Sequence, residues 1–185
     1  MRVIDRAGSF NMLRVREIAK IGTEVVEANH YLFEIHWPQS QGHPLYWRAG
    51  MVSNSLVEIG MHYRSGTLIS VNVLLARQVY AWPQSRPSIL DLGTIEKGVP
   101  VFEVEQSWVS DPDLMIVDSS SDVLFYVSKH RIALDFGDYR RVVRNLCSGR
   151  IIFGIDQEGK LHTVEIGDLL GDEMQAVRKF FHCEK

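Results

Sequence analysis

Apolar and polar residues follow one another in the same order over two stretches of the chain. Residues 56–73 contain an apolar run, a polar bend that ends at Gly66, and a second apolar run. This pattern is typical of a β-hairpin, and Gly66 supplies the residue that tolerates a positive φ in the bend. Residues 151–164 have the same layout, and three of the six positions of 66–71 are identical in 159–164. The sequence therefore predicts two related hairpins.

Shorter apolar stretches predict further strands on both sides of the first hairpin. Their aromatic and β-branched content favours extended structure, and they cover residues 31–37, 45–49, 101–105, 114–117, 123–127 and 131–137. Pro38 ends the first of them, because proline cannot donate to a strand ladder. The last is expected to pair with the strand before it. Residues 1–20 are amphipathic and fit either a strand or a short helix.

One segment, from Asp168 to Phe181, has the pattern of a helix. Its buried stripe would consist of Met174, Val177, Phe180 and Phe181, spaced as on one face of a helix. Asp168 or Asp172 is expected to cap its start, and basic residues lie near its end, where the helix dipole favours them. We expect the stripe to pack against a sheet.

Residues 76–100 contain three prolines and two glycines, which mark the best candidate for a boundary between two parts of the chain. The predicted fold is a β-rich α+β protein with two related antiparallel lobes, at residues 1–90 and 91–185, and a C-terminal helix on the sheet of the second. The two lobes could also form one compact domain.

The composition is that of an ordinary globular protein, with 45% hydrophobic and 23% charged residues. Cys147 and Cys183 are the two cysteines, too few for the disulfide framework of a small secreted domain. The first residues do not have the apolar core of a signal peptide, and no apolar run is as long as a membrane-spanning helix. These features predict a cytoplasmic protein.

The net charge of −3 is too small to indicate nucleic-acid binding, but the carboxylates cluster. Residues 96–125 carry a single lysine and an acidic tract with Phe102 and Trp108 among its members, namely Glu96, Glu103, Glu105, Asp111, Asp113, Asp118 and Asp122. Carboxylates around an aromatic anchor suit a basic protein partner. We therefore select Glu103, Glu105, Trp108, Asp111, Asp113, Asp118 and Asp122 as candidate partner-binding residues. The alternative is a solvated sheet face with Trp108 packed inward.

The other chemically active residues indicate no catalytic or metal site. The seven histidines lack the spacing that puts two metal ligands on one face. Cys147 has arginines near it in sequence, but no nucleophile motif surrounds it, and a small buried hydrophobe is the simpler interpretation. Asp135 and Asp138 can neutralise the arginines at 140, 141, 144 and 150. No cofactor is expected.

The hairpin sequence Leu56-Val57-Glu58-Ile59-Gly60, continued by residues 65–71, resembles a group of small, mostly uncharacterised bacterial proteins. A later segment like Phe153 to Leu161 and a terminal helix also recur in that group. Some of its members look like immunity proteins encoded beside polymorphic or contact-dependent toxins. The resemblance implies a cytoplasmic protein that binds and occludes a toxin domain, with no catalytic residue to carry over.

The function that we expect is therefore a protein-binding module, most concretely an immunity protein that neutralises a toxin domain. An enzyme or small-ligand binder that uses a cleft between the two lobes is the alternative, because folding can assemble catalytic groups from distant positions. Self-association through sheet edges is a third possibility.

Overall fold

The computed structural model describes residues 12–28, 32–40, 42–51, 53–109 and 115–181. These residues form a β-rich α+β fold of fifteen strands and one C-terminal helix. The strands are β1 (Val15–Ala19), β2 (Val25–Ala28), β3 (Phe33–His36), β4 (Pro44–Ala49), β5 (Ser55–His62), β6 (Leu68–Ala76), β7 (Val79–Ala81), β8 (Thr94–Lys97), β9 (Val99–Phe102), β10 (Ile116–Asp118), β11 (Leu124–Val127), β12 (Ile132–Asp135), β13 (Arg144–Ser148), β14 (Ile151–Ile155) and β15 (Leu161–Ile166); the helix is α1 (Gly171–Phe180).

The strands of the described residues are arranged in three sheets. The first sheet has six strands in the order β10-β4-β5-β6-β3-β2, and the second has seven in the order β7-β11-β12-β15-β14-β13-β8. Strands β1 and β9 form the third, two-stranded sheet, and Val101 of β9 also forms an isolated bridge with Thr67. Most neighbours are antiparallel, but β10 with β4, β7 with β11 and β8 with β13 are parallel.

The internal repeat extends over five consecutive strands. Strands β2 to β6 and β11 to β15 follow the same order in their sheets, and their registers match. Ile35 lies opposite Val71 in the first sheet, as Leu134 lies opposite Val164 in the second. Both hairpins also have an irregularity after a glycine, at Gly60 and at Gly154. The two predicted hairpins are therefore confirmed, and they form the centre of each sheet.

The hairpin turns are built alike. Gly66 and Gly159 have φ values of +73° and +83°, which favour glycine. The side chain that precedes each turn accepts hydrogen bonds from turn N–H groups: His62 Nδ1 from Ser65 at 3.1 Å, and Asp156 Oδ1 from Glu158 at 2.9 Å. Each turn then meets a strand of the small sheet, because Gly66 and Gly159 accept backbone hydrogen bonds from β9 and β1, respectively.

The two large sheets pack against each other through one contiguous hydrophobic core. The ring of Trp37 from the first sheet lies 5.9 Å from that of Phe153 in the second, and Trp47 lies 5.6 Å from Phe136. Both tryptophans are 1% exposed. Apolar side chains therefore fill the space between these parts of the two sheets.

The predicted helix is present, and its apolar stripe is buried. Phe181 packs against Phe33 of the first sheet and Phe125 of the second, so the end of the helix contacts both. The predicted caps are wrong: Leu170 occupies the N-cap position without a side-chain hydrogen bond. Asp168 has a φ of +53°. Asp172 lies in the first turn, where its negative charge interacts favourably with the helix dipole.

Strand β9 ends at Phe102, so residues 103–105 do not continue it as predicted. The strand predicted at 114–117 is described as Ile116–Asp118, and it joins β4 of the first sheet in a parallel pair. The proline- and glycine-rich segment 76–100 includes β7 and β8, which are edge strands of the second sheet.

Candidate protein-binding face

The outer face of the second sheet, which points away from the core, is covered by the segment 82–93. Arg86 from this segment forms a two-point ion pair with Asp135 of β12, and one of its two contacts is 2.7 Å, from Nη2 to Oδ1. Both side chains are almost fully buried. Thr163 Oγ1 donates a further hydrogen bond of 2.6 Å to Asp135. Burial by itself would lower the pKa of Arg86, but Asp135 outweighs this effect and raises it.

Three aromatic rings surround the same guanidinium group. Its central carbon lies 5.0 Å from the ring centre of Trp82, 4.6 Å from that of Tyr126 and 4.2 Å from that of Tyr139. Cations are attracted to the faces of such rings, more strongly where water is excluded. The covering segment is therefore anchored by one arginine, held by a carboxylate and an aromatic cage.

A second carboxylate holds the covering segment farther along. Glu165 of β15 accepts hydrogen bonds from Ser88 Oγ at 2.8 Å and from the backbone N–H of Ile89 at 3.0 Å. Asn145 donates to the Ile89 carbonyl oxygen at 2.7 Å. Above Gly154 lie the side chains of Ile89 and Val142, which a Cβ at that position would touch. The chain thus occupies this face much as a bound peptide would.

The matching face of the first sheet is not buried in this way. The matched registers identify its counterpart positions: Glu34 corresponds to Ala133, His36 to Asp135, and Asn72 to Glu165. In the first sheet these three residues are half-buried, whereas all three counterparts are buried. Solvent therefore reaches the outer face of the first sheet at the positions where the second sheet holds Arg86 and Ser88.

A continuous row of polar side chains crosses the exposed face. Successive strand pairs place its members directly opposite one another, in the order Glu27, Glu34, Asn72, Glu58, Arg48 and Asp118. We call these six residues the acidic row, because four carboxylates and one guanidinium give it a formal charge of −3. Directly opposed like charges destabilise a sheet. The opposed carboxylates of Glu27, which is exposed, and Glu34, which is half-buried, therefore slightly disfavour the pairing of β2 with β3.

Charge and burial shift the pKa values of two residues on this face, Glu58 and Tyr46. Burial is the main cause that raises the pKa of Glu58, and Asp118 adds to it, while the nearby Arg48 opposes it. Burial also raises the pKa of Tyr46, with further contributions from Glu58 and Glu34. Arg48 is itself paired with Asp118, at 2.8 and 3.0 Å. The face therefore holds negative charge that its own cation only partly neutralises.

Two polar atoms on this face lack partners among the described residues. Asn72 Oδ1 and His36 Nδ1 are inaccessible to water and accept or donate no hydrogen bond there. Buried polar atoms in native proteins are normally paired, and an unpaired one costs free energy.

The acidic tract predicted from the sequence is distributed over several elements. Glu96, Glu103, Glu105, Asp118 and Asp122 are exposed, and Asp111 and Asp113 lie outside the described residues. Phe102 is fully buried, and Trp108 is half-buried and packs against the core. Asp118 is the described member that the tract shares with the acidic row. Glu27, Glu34 and Glu58 were missed, because each is an isolated outward-facing residue until strand pairing brings them together.

The arginines from 140 to 150 each meet a carboxylate. Arg140 pairs with Asp138 at 2.8 Å, as predicted, but Asp135 is engaged by Arg86. Arg141 lies 3.7 Å from Asp156, Arg144 lies 3.9 Å from Glu96, and Arg150 binds Glu173 at 2.6 Å.

The described residues show no group of three or more histidine, cysteine or acidic side chains that could hold a metal ion. Cys147 is half-buried in β13, and burial raises the pKa of its thiol, which disfavours the reactive thiolate. His162 is buried and contacts Asp156 at 2.9 Å. Within the described part of the chain, no helix is long and apolar enough to span a membrane.

The comparisons with known proteins identify no family for this chain. Neither a scan against protein-family models nor a search of curated proteins found a match to this chain.

Proposed function

We propose that this chain is a protein-binding module that recognises a basic partner through the acidic row of the first sheet. In its most concrete form it is an immunity protein that binds a toxin domain and occludes it, as the resemblance of its hairpin and terminal helix implies. Asp118 belongs to both the acidic row and the acidic tract, and the other exposed carboxylates of the tract, Glu103, Glu105 and Asp122, then extend the contact beyond the sheet.

The observation that carries the proposal is the difference between the two copies of the repeat. One copy has its outer face covered by residues 82–93, whereas the other presents the acidic row to solvent, with Glu27 and Asp118 exposed and Glu34 and Glu58 half-buried. A partner that supplies positive charge would offset the like charges of the acidic row. Charge complementarity would also speed association at low salt.

Mixing the protein with the product of an adjacent toxin gene at micromolar concentration tests the proposal. We expect a stoichiometric complex by size-exclusion chromatography with light scattering, and an association rate that falls as salt screens the charges. The absence of any complex at these concentrations would contradict the proposal.

Two charge-reversal variants identify the surface within that complex. Glu34→Lys with Glu58→Lys changes the acidic row, and Glu103→Lys with Glu105→Lys changes the acidic tract by the same four units of charge. We expect the first pair to weaken the complex more, because its carboxylates are half-buried within the acidic row, whereas Glu103 and Glu105 are exposed. Equal affinity of both variants and the unchanged protein would exclude both surfaces.

A further inference from the structure

We infer that the partner presents an extended, arginine-bearing segment to the first sheet, as residues 82–93 present Arg86 to the second. This inference rests on the proposed function and adds the chemical nature of the bound segment. The second sheet serves as an internal example of how this fold binds a peptide on its outer face.

The internal example shows what the fold offers to a segment. Strands β12 and β15 supply Asp135 and Thr163 to the arginine, and Glu165 to a serine and a backbone N–H. These groups lie at outward positions of two neighbouring central strands. Strands β3 and β6 have the same order and register in the first sheet, so a segment placed there meets the corresponding positions.

His36, Ser70 and Asn72 stand where Asp135, Thr163 and Glu165 hold the segment in the second sheet. The carboxylates of the first sheet come from neighbouring outward positions. Glu34 and Glu58 lie on either side of Asn72 along the acidic row, with opposed Cβ atoms about 5 Å apart in such pairs. The two carboxylates present four acceptor oxygens, more than the three donors of one ammonium group can use. A guanidinium group has five donors in a planar fork, which makes arginine the better fit.

An aromatic ring lies beside the acidic row, as in the internal example. Tyr46 of β4 stands opposite Gly60, and a Cβ at Gly60 would lie 3.1 Å from the Tyr46 ring. The glycine therefore leaves room for the ring to lie against the sheet. A guanidinium group that reaches Glu58 can stack on such a ring, as Arg86 stacks on Tyr126.

Selection from a phage library of random decapeptides on the immobilised full-length protein tests this inference. We expect arginine to be enriched over lysine in the selected peptides. A synthetic copy of the best peptide should bind at least tenfold more weakly when its arginine is replaced by lysine. Selected peptides without arginine, or equal binding of the lysine peptide, would overturn the inference.

Matched variants locate the site. Glu34→Gln with Glu58→Gln should reduce the affinity for the selected peptide at least tenfold, whereas Glu103→Gln with Glu105→Gln should leave it unchanged. Tyr46→Leu should weaken binding severalfold and provides a second readout if the double variant is unstable. A larger loss of affinity in the Glu103→Gln, Glu105→Gln variant than in the Glu34→Gln, Glu58→Gln variant would place the peptide outside the acidic row and overturn the inference.

The remaining outcomes separate this inference from the proposed function. A toxin complex together with a failed peptide selection would refute the arginine segment and leave the proposed function standing. A selected arginine peptide without a toxin complex would contradict the proposed toxin-binding function and leave the arginine segment supported. A doubled mass in solution that the Glu34→Gln and Glu58→Gln changes abolish would assign the face to a second copy of the chain and overturn the inference.

Discussion

Arg86 and Asp135, which lie 49 positions apart in the chain, form a buried two-point ion pair on the outer face of the second sheet. The pair joins the covering segment to a central strand, and it is supported by Thr163 and three aromatic rings. It therefore fixes the conformation of a segment that is rich in proline and has little regular structure.

Removal of one member of this pair should strongly destabilise the folded protein. Arg86→Ala leaves the Asp135 carboxylate buried without its partner, and we expect a loss of about 3–5 kcal/mol in the free energy of unfolding. Urea denaturation followed by circular dichroism measures it. Arg140→Ala, which breaks an exposed pair with Asp138, is the control and should have no measurable effect.

The double variant Arg86→Met, Asp135→Leu completes that test. It removes both charges, so it should be more stable than Arg86→Ala, because no unpaired charge stays buried. If the single and double variants unfold at the same urea concentration, the loss reflects packing of the segment and not the charge pair.

The two hairpin turns should respond differently to the same substitution. Gly159→Ala should cost about 1–2 kcal/mol, because a non-glycine residue at positive φ is strained. Gly66→Ala carries the same strain, and its Cβ would also collide with the carbonyl oxygen of Phe102. We therefore expect Gly66→Ala to be the more destabilising variant in urea denaturation. Equal losses would show that β9 moves aside freely.

The ion pair between Arg150 and Glu173 should make stability depend on pH. The hydrogen bond from Arg150 holds the pKa of Glu173 below its ordinary value, although burial acts in the opposite direction. The stabilisation is therefore present above the unfolded-state pKa and is lost as the pH falls through the folded-state pKa.

Glu173→Gln measures this contribution. At pH 7 it should cost no more than about 1 kcal/mol, because both groups are partly exposed. Below the folded-state pKa of Glu173, the variant and the unchanged protein should be equally stable by thermal denaturation. A difference that persists in acid would assign the effect to packing. Asp172→Asn, one position earlier in the helix, controls for the general loss of charge.

The charged form of Glu58 should destabilise the free folded protein but stabilise its complex with a cationic partner. Burial raises its pKa, so the charged form costs stability at neutral pH, and this cost is relieved as the pH falls through the raised pKa. A cationic partner favours the charged form, so complex formation at a pH within the titration range of Glu58 should release protons, and the affinity should fall as the pH falls through that range.

Calorimetric titration with the partner in two buffers of different ionisation enthalpy measures that proton release. Glu58→Gln should stabilise the free protein at pH 7, weaken the complex and reduce the number of protons released. The charged and titratable groups that interact with Glu58, which are Arg48, Asp118 and Tyr46, remain in the variant and account for any residual dependence. A variant with unchanged proton release would contradict this role of Glu58.

The sequence predicted what depends on local patterns. Gly66 and Gly159 identified both hairpins because a turn needs particular residues at particular positions. The acidic row could not be predicted, since Glu27, Glu34 and Glu58 become neighbours only through the register of three strand pairs. Arg86 was missed for a different reason: prolines on both sides indicated a linker, and its partner Asp135 lies in a later strand.

Two edge strands are exchanged between the two halves of the chain. Strand β10 lies within residues 91–185 yet completes the first sheet, and β7 lies within residues 1–90 yet completes the second. A fragment that ends at residue 90 would therefore lack a strand of the first sheet, and the complementary fragment would lack a strand of the second.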